Sequence, residues 1–418
     1  LLVLGVGDKD HDGVDLTDTI MVVSLDPKDT KTVVMLSIPR DLWLTNIDHA
    51  ADGRINQLYR DVKSWNKRQN PDLDENGLAK LAMVGTADEI GRRLGLEIHG
   101  VIKADFTGFV QAVDAIGGVD VDVPEDIIDM EYPDSVYPDR FDPFRISKGL
   151  QHLDGETALK YARSRHTTSD FGRSARQQQL LSAMAAKVRE QGVLKNPGTI
   201  LTLLKIAGEH VAMTMGSTEL IGLADVAMRL DLKHPLTIQL TTNSQAAGGF
   251  LYPPPRDQFG GASVLLPEGG RDGWQQIKDL VTLAMHQRLL ARPHQVAVEN
   301  AGARSGLARN LGFELIRFGF NVSDIRNRPK AEDGSDNDAA YSVVQTPEND
   351  PVGSFLAGLL SVPTEPLPTG ALAGTATGTV LDGSGAVLEP IEPLPLTQII
   401  LAEDYAYKGI SDLLHPAQ

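Results

Sequence analysis

The sequence predicts an α/β protein, a mixed central sheet flanked by helices, followed by a smaller α/β module. Two observations carry that reading. Short runs rich in β-branched residues alternate with longer stretches of helical periodicity. The tail from residue 294 then repeats the alternation by itself, as strand, helix, strand, strand, helix, strand. With 418 residues, more than one domain is expected.

The elements follow in order. Apolar runs at 1–6, 19–26, 31–38, 100–106 and 119–124 read as strands. TDTIMVVSLD (17–26) and KTVVMLSIPRDLW (31–43) flank the turn-forming DPKDT and read as a hairpin. Helical periodicity marks Leu78–Gly95, where GRRLG reads as a helix end with a glycine cap, and also Phe106–Gly118. A third helix runs from Arg173 toward Val193, with Leu180, Met184 and Val188 at four-residue spacing on one apolar face. Further helices are expected at 197–215, 217–230 and 271–290. Arg292-Pro293 then marks a boundary near 291, giving a first domain over 1–290 and a second over 294–406. Within the second, residues 362–396 are dominated by Pro, Gly and Thr and read as a flexible, exposed excursion.

Composition excludes several classes. A net charge of −17 disfavours nucleic acid as a partner. No cysteine is present, which removes disulfides, thiolate metal sites and cysteine nucleophiles. There is no GxxxxGK[ST] phosphate loop, so ATP hydrolysis is not expected. DKDHDG at 8–13 opens like an EF-hand loop, but its twelfth position is Thr19 rather than the required Glu, so calcium is not expected. His49, His99 and His152 lack metal-ligand spacing, and His166 stands alone among arginines. No run of eighteen apolar residues occurs.

Against this acidic background, Lys160–Gln179 holds Lys160, Arg163, Arg165, Arg173 and Arg176, opposed only by Asp170. Clustered guanidinium groups repel one another unless an anion lies between them, and their planar forks match phosphate oxygens in pairs. A solvated helix face with intrachain acidic partners is the plainer alternative. The hairpin adds a second signal. In simple register, Asp18 at the start of one strand lies beside Arg40 and Asp41 at the end of the other. Two carboxylates with few other protein ligands suit Mg²⁺, which takes water and phosphate oxygens for the rest. The plainer alternative is that Asp18 caps a turn and Asp41 pairs locally with Arg40.

Six motifs occur in order: TDTIMVVSLDP, LSIPRDLW, GRINQLY (53–59), ADFTGFVQAVDAIGGVDVDVPEDI (104–127), GLQHLDGETALKYARSR and DFGRSARQQQ. Together they resemble the LytR-CpsA-Psr (LCP) family of cell-wall ligases over roughly residues 1–190. QVAVENAGARSGLARNLGFELIRFGFNV (295–322) and TQIILAEDY (397–405) are similar to a LytR C-terminal domain.

The resemblance implies a phosphotransferase that moves a glycopolymer, such as a teichoic acid or capsule, from a polyprenyl-pyrophosphate carrier onto peptidoglycan. It implies Mg²⁺ held by Asp18 and Asp41. It implies catalytic roles for Arg40, Asp41, Arg163 and Arg165, and substrate contacts from Arg54, Lys103, Arg173 and Gln177. Arg176 fits the motif too, with packing or an ion pair as its other use. The resemblance also implies an extracytoplasmic location and a membrane anchor upstream of Leu1, which already lies in an apparent strand. Hydrolysis of the pyrophosphate lipid, or binding of lipid or wall polymer without catalysis, stands as the alternative. The carrier's tail would need an apolar slot, for which the strands at 19–38 and the helices at 78–95 and 178–190 are candidates.

Overall fold

A computed structural model describes the chain except residues 9–14, 27, 29–30, 134–139, 165–169, 191, 193–209, 369–393 and 416–418. Two compact units emerge. One comprises Leu1–Thr242 and Leu251–Trp274, the other Asn243–Phe250 and Gln275–Gln418.

The first unit is built on six strands: β1 (Leu2–Val6), β2 (Thr17–Ser24), β3 (Thr32–Ser37), β4 (Val101–Ala104), β9 (Val211–Met213) and β10 (Asp231–Gln239). Their spatial order is β9-β4-β1-β2-β3-β10. β1 runs antiparallel to β2 and parallel to β4, and β3 runs antiparallel to β2 and parallel to β10, so the sheet is mixed. The β2–β3 hairpin pairs Met21 with Ser37, which carries Asp18 toward Arg40 at the same end of the sheet. The β1–β2 register breaks there: Gly5 faces Thr19 while Val6 faces Thr17. Asp18 is the extra residue of this bulge, a device that re-aims a side chain at the end of a ladder.

The helices are α1 (Leu58–Gln69), α2 (Glu75–Leu94), α3 (Phe106–Ala115), α4 (Gly155–Arg163), α5 (Asp170–Glu190) and α6 (Ser217–Met228). Aspartates cap three of them: Asp74, Asp105 and Asp154 accept from the backbone N–H of Gly77, Gly108 and Thr157, each at 2.8 Å. Gly95 closes α2 with φ of 70°, as its sequence indicates. Four short strands, β5 (Val119–Val123), β6 (Ile127–Asp129), β7 (Phe144–Ile146) and β8 (Gly149–Leu153), form two hairpin-like pairs, β5–β8 and β6–β7.

α5 has two apolar faces where the sequence shows one. Leu180, Met184 and Val188 pack with Val121, Phe144 and Tyr161, while Leu181 and Ala185 pack toward Met21, Val33 and Met35 of the sheet. Of the segment expected as a helix at 197–215, residues 197–209 lie outside the described residues, and 211–213 form a strand.

The second unit contains α7 (Gln275–Val281), β11 (Gln295–Asn300), α8 (Leu307–Arg317), β12 (Val322–Asn327), β13 (Val343–Thr346), α9 (Pro351–Leu360), β14 (Thr364–Pro366), β15 (Leu396–Leu401) and α10 (Ile410–Leu414). Its sheet has the order β12-β11-β15-β13-β14. VAVEN lies in its first strand and the Gly302–Gly306 turn leads into α8. The helical run after Trp274 belongs here and not with the first unit. Asp279 of α7 is 4% exposed and accepts from Ser411 Oγ at 2.6 Å, which ties α7 to the C-terminal helix. Most of the 362–396 excursion, residues 369–393, lies outside the described residues. Among the described residues no helix is long and apolar enough to cross a membrane.

Candidate functional site

Four separate segments bring arginines to one cavity of about 580 Å³. Arg40 follows β3, Arg54 ends the short Gly53–Arg54 strand, Arg163 is the last residue of α4, and Arg173 lies in the first turn of α5. Asp18 and Gln177 line the same cavity. Gln177 follows Arg173 by one helical turn, the spacing that puts both on one face. An adjoining cavity of about 260 Å³ shares Asp18, Arg40, Arg173 and Gln177 and adds Asp41.

The backbone fixes these positions. The Arg40 carbonyl accepts from Asn56 N at 3.2 Å and the Asp41 carbonyl from Leu265 N at 2.9 Å, so the turn after β3 is pinned on both sides. Arg40 Nη1 donates to Asp18 Oδ1 at 2.8 Å. Asp41 Oδ1 sits 3.5 Å from Arg54 Nη1, whereas the local Arg40–Asp41 separation is 3.9 Å. The strong pair is therefore the cross-strand one, and Asp41 leans to Arg54.

Arg163 is held by aromatic rings. Its Cζ lies 4.1 Å from the Phe106 ring centroid and 5.7 Å from that of Tyr132, and Nη1 lies 3.5 Å from the Tyr132 hydroxyl. Such stacking orients a guanidinium while leaving its N–H edge available. Burial pushes the Tyr132 hydroxyl above its ordinary pKa, so it stays a donor. The segment after α4 is anchored from two directions. Ser164 Oγ donates to the buried Asp129 at 2.8 Å. Arg176, 5% exposed, donates from Nε to the Tyr161 carbonyl at 2.8 Å and from Nη2 to the Ser164 carbonyl. Arg176 thus serves packing and backbone anchoring, the second of its two expected uses.

Lys103 is not brought to this place. It pairs with the fully buried Leu4, one position before Gly5, which lines the cavity, so the two-residue strand period turns it to the other face. Its Nζ lies 5.2 Å from the Tyr59 ring centroid, and burial lowers its pKa. Arg165 and His166 lie outside the described residues, as does most of the DKDHDG segment.

Sequence reasoning overlooked Phe106, Asp129, Glu131 and Tyr132, all of which line the larger cavity. Phe106 sits in the ADF motif and was legible there as a conspicuous aromatic beside a helix cap. The other three belong to the β6–β7 region, where a lone acidic or aromatic residue carries no pattern.

The donor set also admits a hard cation. Asp18 and Asp41 both line the smaller cavity, and no group of three or more acidic or histidine ligands occurs among the described residues. Two carboxylates beside arginines fit Mg²⁺ that draws its remaining ligands from phosphate and water. Four guanidinium groups around one cavity make a site suited to a polyanion.

Comparison with known proteins places the first unit in a family. The family model for the LytR_cpsA_psr family matches residues 1–258, and this chain belongs to that family. It is 30% identical over 248 residues to the polyisoprenyl-teichoic acid–peptidoglycan teichoic acid transferase TagV of Bacillus subtilis (strain 168), covering 58% of this chain and 54% of that protein. It is 28% identical over 353 residues to the cell wall biosynthesis protein LcpA of Corynebacterium glutamicum, covering 78% and 62%. The chain thus spans little more than half the length of these curated relatives. The crystal structure of B. subtilis TagV superposes with a TM-score of 0.48 at 25% identity, over 68% of this chain and 96% of that one.

Proposed function

We propose that this protein is a phosphotransferase that moves a glycopolymer from a polyprenyl-pyrophosphate carrier onto peptidoglycan at the extracytoplasmic face of the membrane. The observation that carries the reading is the convergence of Arg40, Arg54, Arg163 and Arg173, with Asp18, on one cavity in an otherwise acidic protein. The names of the relatives, which include teichoic acid transferases, support the polymer and the acceptor.

Phosphoryl transfer asks a protein for position and charge more than for covalent chemistry. Here the arginines bind the pyrophosphate and hold it in line with the acceptor hydroxyl. Oxygen attack on the sugar-linked phosphorus expels polyprenyl phosphate, and the same guanidinium groups stabilise the charge that gathers on it. Asp18 and Asp41 would hold Mg²⁺, which when bound supplies further neutralisation of the phosphate oxygens. Arg40 and Arg54 orient those two carboxylates. Arg165 enters through its motif position alone. The carrier's tail has an apolar layer between the sheet and α5, where Val3, Val23, Leu25, Leu181, Ala185 and Val226 are only partly buried.

The test is reconstitution. The protein is incubated with a polyprenyl-pyrophosphate oligosaccharide and peptidoglycan fragments, with and without Mg²⁺ and with EDTA, and the products are read by mass spectrometry. A phosphodiester-linked sugar–peptidoglycan product and polyprenyl phosphate, both lost with EDTA, are expected. Release of sugar phosphate with no acceptor product would make it a hydrolase, and no turnover at all would overturn the enzymatic reading.

A further inference from the structure

The larger cavity carries the arginines that a pyrophosphate asks for, and the adjoining cavity of about 260 Å³ has a different lining. Neither Arg54 nor Arg163 lines it. It adds the hydroxyls of Ser37, Thr242 and Ser263, set among Ile20, Pro253 and Leu265. A few hydroxyls placed in apolar walls match a sugar ring, which presents hydroxyl edges and apolar faces. Resting on the transfer reading above, we infer that this cavity seats the sugar of the acceptor and that the Ser37 hydroxyl positions it.

Ser37 carries the argument. It is 3% exposed, and its Oγ has no hydrogen-bond partner among the described residues. A buried hydroxyl left unpaired is costly, and on the wall of a cavity that cost is relieved when a ligand supplies the partner. The strand sets its direction. Val33 and Met35 of β3 pack toward Leu181 and Ala185 of α5, and the two-residue period turns Ser37 the same way. The first turns of α5 supply Ser174 and Gln177 to the same cavity, so Ser37 meets it from the sheet side. The position is rigid. Ser37 pairs with Met21 of β2 and with Gln239 of β10, and its carbonyl accepts from Leu240 N at 3.1 Å. A group on an inner strand holds its place better than one on a loop.

The placement suits the reaction. The two cavities share Asp18, Arg40, Arg173 and Gln177. In-line transfer brings the incoming oxygen to the phosphorus opposite the leaving one. With the pyrophosphate in the larger cavity, a sugar in the smaller one meets it along those shared residues. Ser37 touches no reacting atom; it holds the ring and is a positioning residue.

The test is steady-state transfer from a polyprenyl-pyrophosphate oligosaccharide to a soluble peptidoglycan fragment, with each substrate varied in turn. Ser37→Ala removes the hydroxyl, and Ser263→Phe fills the cavity from its exposed rim. Ser37→Ala should raise acceptor KM by about two- to tenfold, the effect of one lost hydrogen bond, with donor KM unmoved and no fall in melting temperature. Ser263→Phe should raise acceptor KM at least as much. A rise in donor KM instead would assign the cavity to the donor's first sugar and overturn the inference. So would an unchanged acceptor KM in either variant, or a Ser37→Ala protein that melts below wild type, the sign of a structural hydroxyl. Each of those results leaves the transfer reading intact. A wild type that releases no polyprenyl phosphate overturns the transfer reading and this inference together.

Discussion

At the scale of single residues, the site depends on how Arg163 is aimed. Phe106 and Tyr132 confine its guanidinium, and cation–π contacts of this kind contribute about 0.5–2 kcal/mol each. Phe106→Leu or Tyr132→Leu should lower kcat/KM by about tenfold, the equivalent of 1.4 kcal/mol. Phe106→Tyr and Tyr132→Phe, which keep the rings, should stay much closer to wild type. Steady-state kinetics of the four variants checks this, and equal losses in ring-keeping and ring-removing variants would contradict it. Arg163 and Arg173 were legible in the sequence as part of a basic knot in an acidic chain, Arg40 from the hairpin end, and Arg54 only from the motif it sits in. Tyr132 was not, since a single aromatic between hairpin strands has no period or spacing to mark it. Lys103 shows the reverse case, a motif position that does not line the cavity. Its motif neighbours pointed to the site, but the strand period places it opposite Leu4 and over Tyr59.

At the scale of elements, α4 and α5 act as a pair. Arg176 of α5 donates to the Tyr161 and Ser164 carbonyls, at and just beyond the end of α4 that carries Arg163. Arg176→Met would remove a donor from each of these buried carbonyls, at about 1–3 kcal/mol for each one left unpaired. Urea unfolding should show a lower midpoint, and kcat should fall further than stability alone explains, because Arg163 loosens. Unchanged stability would mean the carbonyls find other donors.

The second unit has its own pH sensitivity. His294 is 4% exposed; its Nδ1 meets the Arg292 carbonyl at 2.7 Å, and its Nε2 accepts from Asn321 N at 3.3 Å. Burial, the main cause, lowers its pKa below 6.5. The unfolded chain therefore binds the proton more readily than the fold does. Its contribution to stability is present above about pH 6.5 and is lost as pH falls below that value. Protection factors of β11 and β12, measured by hydrogen exchange relative to the intrinsic rate at each pH, should fall on acidification from pH 7 to 5, and His294→Gln should flatten that slope. An unaltered slope in the variant would assign the acid sensitivity to other groups.

At the scale of the whole molecule, α1, α4 and the short strands β6–β8 were not singled out, whereas β1–β5 and the helices α2, α3 and α5 were legible because they carry an apolar period, with caps such as Asp74 and Asp105. The domain boundary was less so. Arg292-Pro293 ends a helical run locally, but which unit that run belongs to is decided by long-range partners such as Asp279 with Ser411, which no local pattern reveals. All residues lining the two cavities belong to the first unit. A chain ending after Trp274 should keep pyrophosphate-lipid turnover within a few-fold of the full chain. A chain ending after residue 290 should be harder to keep soluble, because it retains Leu280, Val281 and Leu283, all about 1% exposed or less, without the rest of their unit. Loss of turnover in the shorter chain would mean that the chemistry needs the second unit.

The most direct measurement is the melting temperature with a short-chain polyprenyl pyrophosphate, for wild type and Arg163→Ala. Like-charged groups gathered on one cavity are relieved when a polyanion enters. A ligand at a hundred times its dissociation constant stabilises the fold by about 2.7 kcal/mol. Wild type should therefore show a clear upward shift that saturates with ligand, and Arg163→Ala should need markedly more ligand for the same shift. No shift in wild type, or superimposable titrations for the two proteins, would contradict the pyrophosphate site.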